Sequence, residues 1–368
     1  MAAYITRRLL LIIPTLFGIM LINFLIIQAA PGGPIENIIS RYAGTAVDAT
    51  VRVSGDSQAE VLGQAQIQNS TKLNTKYRGA QGLDPKLITE LEVMYGFNLP
   101  LHERFLKMLG NYLLFDFGES FFQDRSVVDL VKEKMPVSIS LGLWTTLLIY
   151  VISIPLGVVK AIKDGSRFDL WTSATVVVGN AIPGFLFAIF LIVLFAGGRY
   201  FDWFPLRGLT SANWQELNTG EKVLDYFWHL ALPILSMVIA GFAGLTLLTK
   251  NSFLEEINKQ YVITAKSKGL TNRRVLVGHV FRNAMLIVIA GFPSAFVGIL
   301  FTGSLLTEII FSLDGLGLLG FEAAINRDYP VMFATVYCFT LLGLVMHLIG
   351  DITYTIVDPR IDFENQEA

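Results

Sequence analysis

Four kinds of chemistry can be tested on the residues before any fold is considered. Metal chemistry is not expected. Four His and the single Cys338 give no ligand-spaced pair, and one Cys cannot build a disulfide framework. Nucleotide hydrolysis is not expected either, because the chain has no Gly-x-x-x-x-Gly-Lys-Ser/Thr with which to cradle phosphates. An intramembrane serine hydrolase would pair Ser304, which follows Gly303, with His347. A base must come within about 3 Å of its nucleophile. These two fall near opposite ends of different apolar runs, so Ser304 reads as a small packing residue. A proton-coupled secondary transporter or channel needs ionisable groups inside the membrane. Only His347 lies deep in an apolar run, and no acid sits at the centre of one. What remains is a basic segment, 250–282, with seven Lys and Arg.

The elements that would carry such a segment follow from composition. Of 368 residues, 53% are hydrophobic and only 16% are charged. That charge content is well below the usual quarter of a soluble chain, and the apolar content excludes disorder. Residues 9–29, 135–159, 170–198, 230–249, 283–307 and 329–350 carry no charge at all. A bilayer core about 30 Å thick takes roughly 20 helical residues. The expectation is therefore an all-α membrane protein with six transmembrane helices. The first run follows Arg7 and Arg8 but exceeds the ~7–15 residues of a signal-peptide core, so it reads as a retained helix.

Charge distribution sets the orientation. Residues 1–8, 160–169, 250–282 and 351–368 hold 13 Lys and Arg in 69 residues, against 4 in the 52 residues of 199–229 and 308–328. The positive-inside rule then puts both termini in the cytoplasm. The C-terminal tail, with Arg360 and five acids, disagrees, but the rule weighs Lys and Arg above net charge.

Four parts are expected along the chain. Residues 1–29 form a cytoplasmic stub and the first span. Residues 30–134 form a large external insert, irregular over 43–82 and helical over 84–134. Within it, Asp84 and Pro85 can open a helix that Gly96 ends. Leu101, Phe105, Met108, Leu109, Tyr112 and Leu113 recur at helical spacing, and Ser126 with Asp129 resembles a capping box leading into the second span. Residues 135–358 hold the remaining spans and the loop 250–282, and 359–368 form a cytoplasmic tail. No internal repeat is evident, which weakens an inverted-repeat transporter. Pro14, Pro155, Pro183, Pro233 and Pro293 interrupt spans. Asn180, three residues before Pro183, is a mid-membrane amide that needs a partner.

In the loop, Glu255 and Glu256 precede Lys266 and Lys268, the order a helix dipole favours, and Gly269 is a natural stop. Thr271 can cap a second short helix. Ile257, Tyr261 and Ala265 share one face at steps of four, a pattern suited to a groove in another protein. Membrane anchoring by positive charge alone, or a helix lying on anionic lipid, would use the same residues. Nucleic-acid binding is not expected of a loop held between two spans.

The loop resembles the "EAA" coupling loop of binding-protein-dependent ABC importer permeases, peptide branch. The resemblance rests on Tyr261, Thr264, Ala265, Lys266, Lys268 and Gly269, followed by His279, Arg282, Asn283 and Ala284. Tyr95 to Pro100, Asp116 to Ser120, Pro155 to Gly157, Ile182 to Phe185, Pro205 to Gly208, Glu308 to Phe311, Gly315, Gly317 and Arg327 to Pro330 extend it to nearly the whole chain outside 43–82. The family's Pro-Gly before the sixth span is Asp314-Gly315 here. The long insert and the Asp358-Pro359-Arg360 ending look most like the B-type permeases of the Yej peptide importers, a group associated with oligopeptides and with peptide–nucleotide antibiotics of the microcin C kind.

The resemblance implies a type I ABC importer permease fold in the bacterial inner membrane, non-catalytic, with no cofactor of its own. ATP and Mg would sit on a partner ATPase. Its other partners would be a second homologous permease, a periplasmic peptide-binding protein and the lipid bilayer. Ile257, Tyr261, Thr264, Ala265 and Gly269 would contact the ATPase groove, with Lys266 and Lys268 at its rim. His279, Arg282 and Asn283 would brace the loop. Asn180, Pro183 and Phe185 would line the path between the permeases. Glu308, Arg327 and Asp328 would form salt bridges at the periplasmic face or meet the binding protein.

Overall fold

A computed structural model describes residues 2–29, 98–123, 125–299 and 304–357, with side chains given for 5–25 and up to 353 at the two ends. The expected irregular stretch 43–82, the helix opened by Asp84 and Pro85, its end at Gly96, and the segment from 358 onward lie outside the described residues.

Among the described residues the regular elements are helices, joined by loops, with one isolated bridge between Glu119 and Ser126. In chain order the α-helices are α1 (Ala2–Ala29), α2 (Leu101–Leu113), α3 (Val127–Ile162), α4 (Arg167–Ala181), α5 (Gly184–Phe195), α6 (Thr219–Ile257), α7 (Gln260–Ser267), α8 (Asn272–Val275), α9 (Phe281–Gly298), α10 (Leu305–Ile310), α11 (Leu316–Asn326) and α12 (Tyr329–Val357). A π-helical turn, Leu276–Val280, joins α8 to α9. Among the described residues, five stretches are long and apolar enough to cross a membrane: Ile5–Leu25, Val127–Ile162, Thr219–Ile257, Asn272–Gly298 and Tyr329–Thr353. The remaining expected span, 170–198, is not one straight helix. It is α4 and α5, bent by 91°. Ile182 before Pro183 sits at φ −88°, ψ 119°, the extended conformation that the following proline ring enforces. Pro14, Pro155, Pro233 and Pro293 lie inside continuing helices, so the sharp break is particular to Pro183.

Two helices outrun the bilayer. At about 1.5 Å per residue, the 36 residues of α3 and the 39 of α6 reach roughly 54 and 58 Å. The start of α6 is fixed by a capping box. Asn218 accepts from the Glu221 N–H at 2.9 Å, and the Glu221 carboxylate accepts from the Asn218 N–H at 3.0 Å.

The chain divides into two compact units, one of residues 1–10, 134–318 and 339–368 and one of 11–133 and 319–338. In the larger unit, one core joins Leu141 and Ile149 of α3, Ala188 and Leu191 of α5, and Leu230, Ile234 and Met237 of α6. A second core joins Ala161, Phe253, Val262, Ala265, Val275, Ala284 and Val288. It therefore ties α7 and α8 to α3, α6 and α9. In the smaller unit, Phe105 packs on Phe17 and Phe24 of α1, and Tyr112 and Phe117 pack on Tyr337 of α12.

Candidate functional site

The loop after α6 is built from an elbow, a short helix and a stop. The expected helix running past Glu255 and Glu256 to Lys268 is broken in two. The acids end α6, Lys259 turns extended (φ −74°, ψ 151°), and α7 starts at Gln260. The acids therefore do not serve the start of α7. Instead Glu256 grips the elbow. Its carboxylate pairs with the Lys259 ammonium and accepts a 2.5 Å hydrogen bond from the Tyr261 hydroxyl, while Lys259 also reaches Glu255 at 3.4 Å. The Asn283 side-chain amide donates to the Tyr261 oxygen at 3.3 Å. Burial, and next the Glu256 carboxylate, push the Tyr261 phenol above its ordinary pKa.

At its far end α7 stops as its sequence predicts. Gly269 takes φ +84°, the left-handed region that glycine enters without a Cβ penalty. The Lys268, Gly269 and Leu270 N–H groups close back on the carbonyls of Thr264, Lys266 and Ala265 at 3.1, 2.9 and 3.3 Å. Thr271 then caps α8, accepting from the Arg274 N–H at 3.4 Å.

The step-of-four face is real, but it turns inward. Ala265 is buried with Val262, and Ile257 and Tyr261 are half-buried on the same core. An apolar stripe serves its own bundle as readily as a partner, and here the bundle occupies it. The opposite side of α7 is open: Gln260, Ile263, Thr264 and Ser267 are exposed, with Ile263 at 51%. Lys266, Lys268 and Gly269 lie open beside them. Of the three residues expected to brace the loop, Asn283 makes the contact with Tyr261, Arg282 is exposed, and His279 is exposed on the π-helical turn.

Beneath the loop lies a buried charge cluster. Lys160 is fully buried near the end of α3. Its ammonium donates to the Ser173 hydroxyl at 2.7 Å, the Thr172 hydroxyl at 2.9 Å and the Asp169 carbonyl at 3.1 Å, and it pairs with Asp169 Oδ1 at 2.9 Å. The other Asp169 oxygen takes Lys250 of α6 at 2.8 Å and the Gly165 N–H at 3.2 Å. Lys250 also pairs with Asp164 at 2.8 Å. Ser166 caps α4 by accepting from the Asp169 N–H at 3.3 Å. The ends of α3, α4 and α6 are thus pinned together two turns before the elbow. Sequence counting treated Lys160 and Lys250 only as positive-inside charges. The signal that marks the cluster is Ser166-x-x-Asp169 following Lys160, a helix start next to a lysine with no water to reach.

The other candidate residues are dispersed. Asn180, Pro183 and Phe185 lie together at the bend between α4 and α5, all exposed. Glu308 and Asp328 are not surface ion-pair partners but buried acceptors of N–H and O–H groups. Glu308 of α10 accepts from Ser138 Oγ at 3.1 Å and from the Leu318 N–H at 2.7 Å, while Ser138 in turn accepts from the Leu316 N–H at 2.8 Å. Burial is the largest influence on its carboxyl and pushes its pKa up against these donors. Ser304 is buried and serves the same carboxylate, so its hydroxyl is committed to packing. Asp328 accepts from the Ser120 hydroxyl and from the Phe121 N–H at 3.2 Å, and burial likewise pushes its carboxyl up. Arg327 is half-buried at φ +58°. Asp314, standing where the resembling family has proline, pairs with Lys134.

With the site in view, comparison with known proteins decides the family. Residues 153–363 match the family described as "Binding-protein-dependent transport system inner membrane component". The chain belongs to that family. The match takes in Lys160, Asp169, the bend, the elbow, α7 and Gly269. Over full length the permease is 58% identical to the "Peptidoglycan transport system permease protein YejB" of Agrobacterium fabrum, covering 100% of both chains. It is 56% identical to the "Inner membrane ABC transporter permease protein YejB" of Escherichia coli O157:H7, again covering 100% of both. It is 35% identical to the "Oligopeptide transport system permease protein AppB" of Bacillus subtilis, covering 99% of this chain and 100% of that one. The chain is a multi-pass inner membrane protein and a permease subunit of an ATP-driven transporter, in which hydrolysis belongs to another chain.

Proposed function

We propose that this permease forms half of the translocation path of an importer for oligopeptides or peptide-like compounds, and that a separate ATPase drives it through α7. The observation that carries the reading is the mounting of α7. One side of an eight-residue helix is fixed to the permease core and the other, around Ile263, is left open. A lever needs both a rigid attachment and a free surface for the driver. Docking through Gln260, Ile263, Thr264 and Ser267, with Lys266, Lys268 and Gly269 at the rim, replaces the inward stripe as the partner surface. Ile257, Tyr261 and Ala265 then hold the lever.

The remaining assignments rest on family membership and on the names of relatives. A second, homologous permease would supply the other half of the path, and Asn180, Pro183 and Phe185 would face it at the bend. A periplasmic binding protein would deliver substrate on the side opposite α7, with both termini in the cytoplasm as the Lys and Arg distribution indicates. The relatives named for oligopeptide and peptidoglycan transport have peptide in common, which favours a path that reads peptide backbone.

A glycine substitution tests the mechanics. In Gly269→Val a β-branched residue must enter the left-handed region at a cost of order 1–3 kcal/mol, or the helix end must re-form. No neighbouring atom lies within 4 Å of a Cβ there, so conformation alone is at stake. In membranes carrying the assembled transporter, ATP hydrolysis is expected to persist while peptide uptake falls at least tenfold, or the ATPase is lost from the complex. Uptake stimulated normally by the binding protein would refute the role of this loop.

A further inference from the structure

The segment before the second span offers a surface that the transport reading does not use. Helix α2 is amphipathic in an uneven way. At 100° per residue, Glu103, Lys107, Gly110 and Asn111 occupy one arc, all exposed. Phe105 and Tyr112 occupy the opposite arc, both buried. Between the two arcs, Leu106 and Leu113 stand seven residues apart along one edge, 63% and 72% exposed. The apolar surface is wider than the strip that the protein covers.

Aromatic contacts give the depth of this helix. Phe105 lies 5.6 Å from the Phe17 ring and 5.3 Å from the Phe24 ring. Both belong to the span Ile5–Leu25. The uncharged run and helix that hold them continue to Ala29, so at about 1.5 Å per residue Phe24 and Phe17 stand about 7.5 and 18 Å inside its end, and Phe105 sits between those levels. At the other end of α2, Tyr112 lies 5.7 Å from the Tyr337 ring of α12. Tyr337 is eight residues inside the span that begins at Tyr329, again about 12 Å deep. The chain then climbs: Ser120 and Phe121 bond Asp328, one residue outside that span. The buried side of α2 therefore meets both spans about 12 Å below the rim marked by Asp328, and with the helix axis about 5 Å shallower than that side, α2 runs near the 5–10 Å depth of helices that lie in a membrane interface.

We infer that α2 is a membrane-interface helix whose Leu106–Leu113 edge is covered by lipid acyl chains, in the leaflet where α1 ends and α12 begins. The inner strip is held by α1 and α12. The leucine edge meets hydrocarbon, and the arc with Glu103 and Lys107 meets headgroups and water, Lys107 reaching outward along its own methylenes. An apolar edge of this kind, next to two spans and at their depth, has lipid as its natural solvent. The inference rests on the membrane reading alone and not on the identity of the transported compound.

Spin labels test it in the full transporter, reconstituted with its partner chains in lipid nanodiscs. Labels are placed at Leu106→Cys, Leu113→Cys and Lys107→Cys in a Cys338→Ser background, whose unlabelled form first establishes normal uptake. Oxygen, which concentrates in lipid, is expected to relax the labels at 106 and 113 severalfold more than a water-soluble nickel chelate does, with the order reversed at 107. Two results would overturn the inference. In the first, the nickel chelate reaches 106 and 113 as well as it reaches 107, which places the edge in water. Alternatively, neither reagent reaches an immobilised label there, which places it under protein, either the segment 30–97 or a partner subunit.

Discussion

Lys160→Met is expected to lower the amount of folded permease in the membrane severalfold or more. The lysine is wholly buried, and its removal leaves Asp169 with Lys250, the Gly165 N–H and the Ser173 hydroxyl, while the Thr172 and Ser173 hydroxyls lose their donor. Breaking a buried pair from one side costs up to about 3–5 kcal/mol when the remaining charge is left alone; Lys250 still faces Asp169 here, so the cost falls below that range. A loss of even 1–2 kcal/mol changes cellular abundance severalfold. Lys160→Met combined with Asp169→Asn removes both charges and is expected to recover part of the loss. Quantitative immunoblotting of membranes, with uptake normalised to the protein present, reads both variants. A single variant as abundant as the parent would mean that the cluster does not hold α3, α4 and α6 together.

Gly315→Ala is expected to be nearly as damaging, for a steric reason. A Cβ at Gly315 would fall on the Glu308 carboxylate, meeting Oε1 and Cδ and lying 2.8 Å from Oε2. The carboxylate cannot step aside without leaving Ser138 and the Leu318 N–H. Overpacking costs about 1–3 kcal/mol, and losing a hydrogen bond to a charged group about 1.5–3 kcal/mol. Gly320→Ala is the control, since a Cβ there meets only ordinary contacts, the nearest being Thr335 Oγ1 at 3.7 Å. Membrane abundance and thermal stability in detergent should fall sharply in the first variant and barely in the second. Equal behaviour of the two would remove the proposed reason for glycine beside Glu308.

These two sites show what sequence can and cannot disclose. The spans were legible because a bilayer demands long uncharged runs, and the stop at Gly269 was legible because few residues accept a left-handed backbone. The bend at Pro183 was not, because four other prolines lie inside helices that carry on through them. Lys160 and Lys250 look like any cytoplasmic lysine until the first turn of α4 is seen folded over them. Glu308 and Asp328 look like surface acids until the N–H groups that satisfy them are placed. The apolar stripe of the loop was legible at Ile257, Tyr261 and Ala265, yet its destination was not. Hydrophobic spacing states that a face is buried and leaves open which protein buries it.

The most direct test of the central claim is site-directed cross-linking in the intact assembly. With Cys338 replaced by Ser, Ile263→Cys and Ser267→Cys are each treated with a short bismaleimide in the presence of an ATPase bearing a cysteine in its groove. Both should join the permease to the ATPase, and Ala265→Cys, on the buried side, should not. An Ile263 position that finds no protein neighbour in the assembled, active transporter would contradict the account.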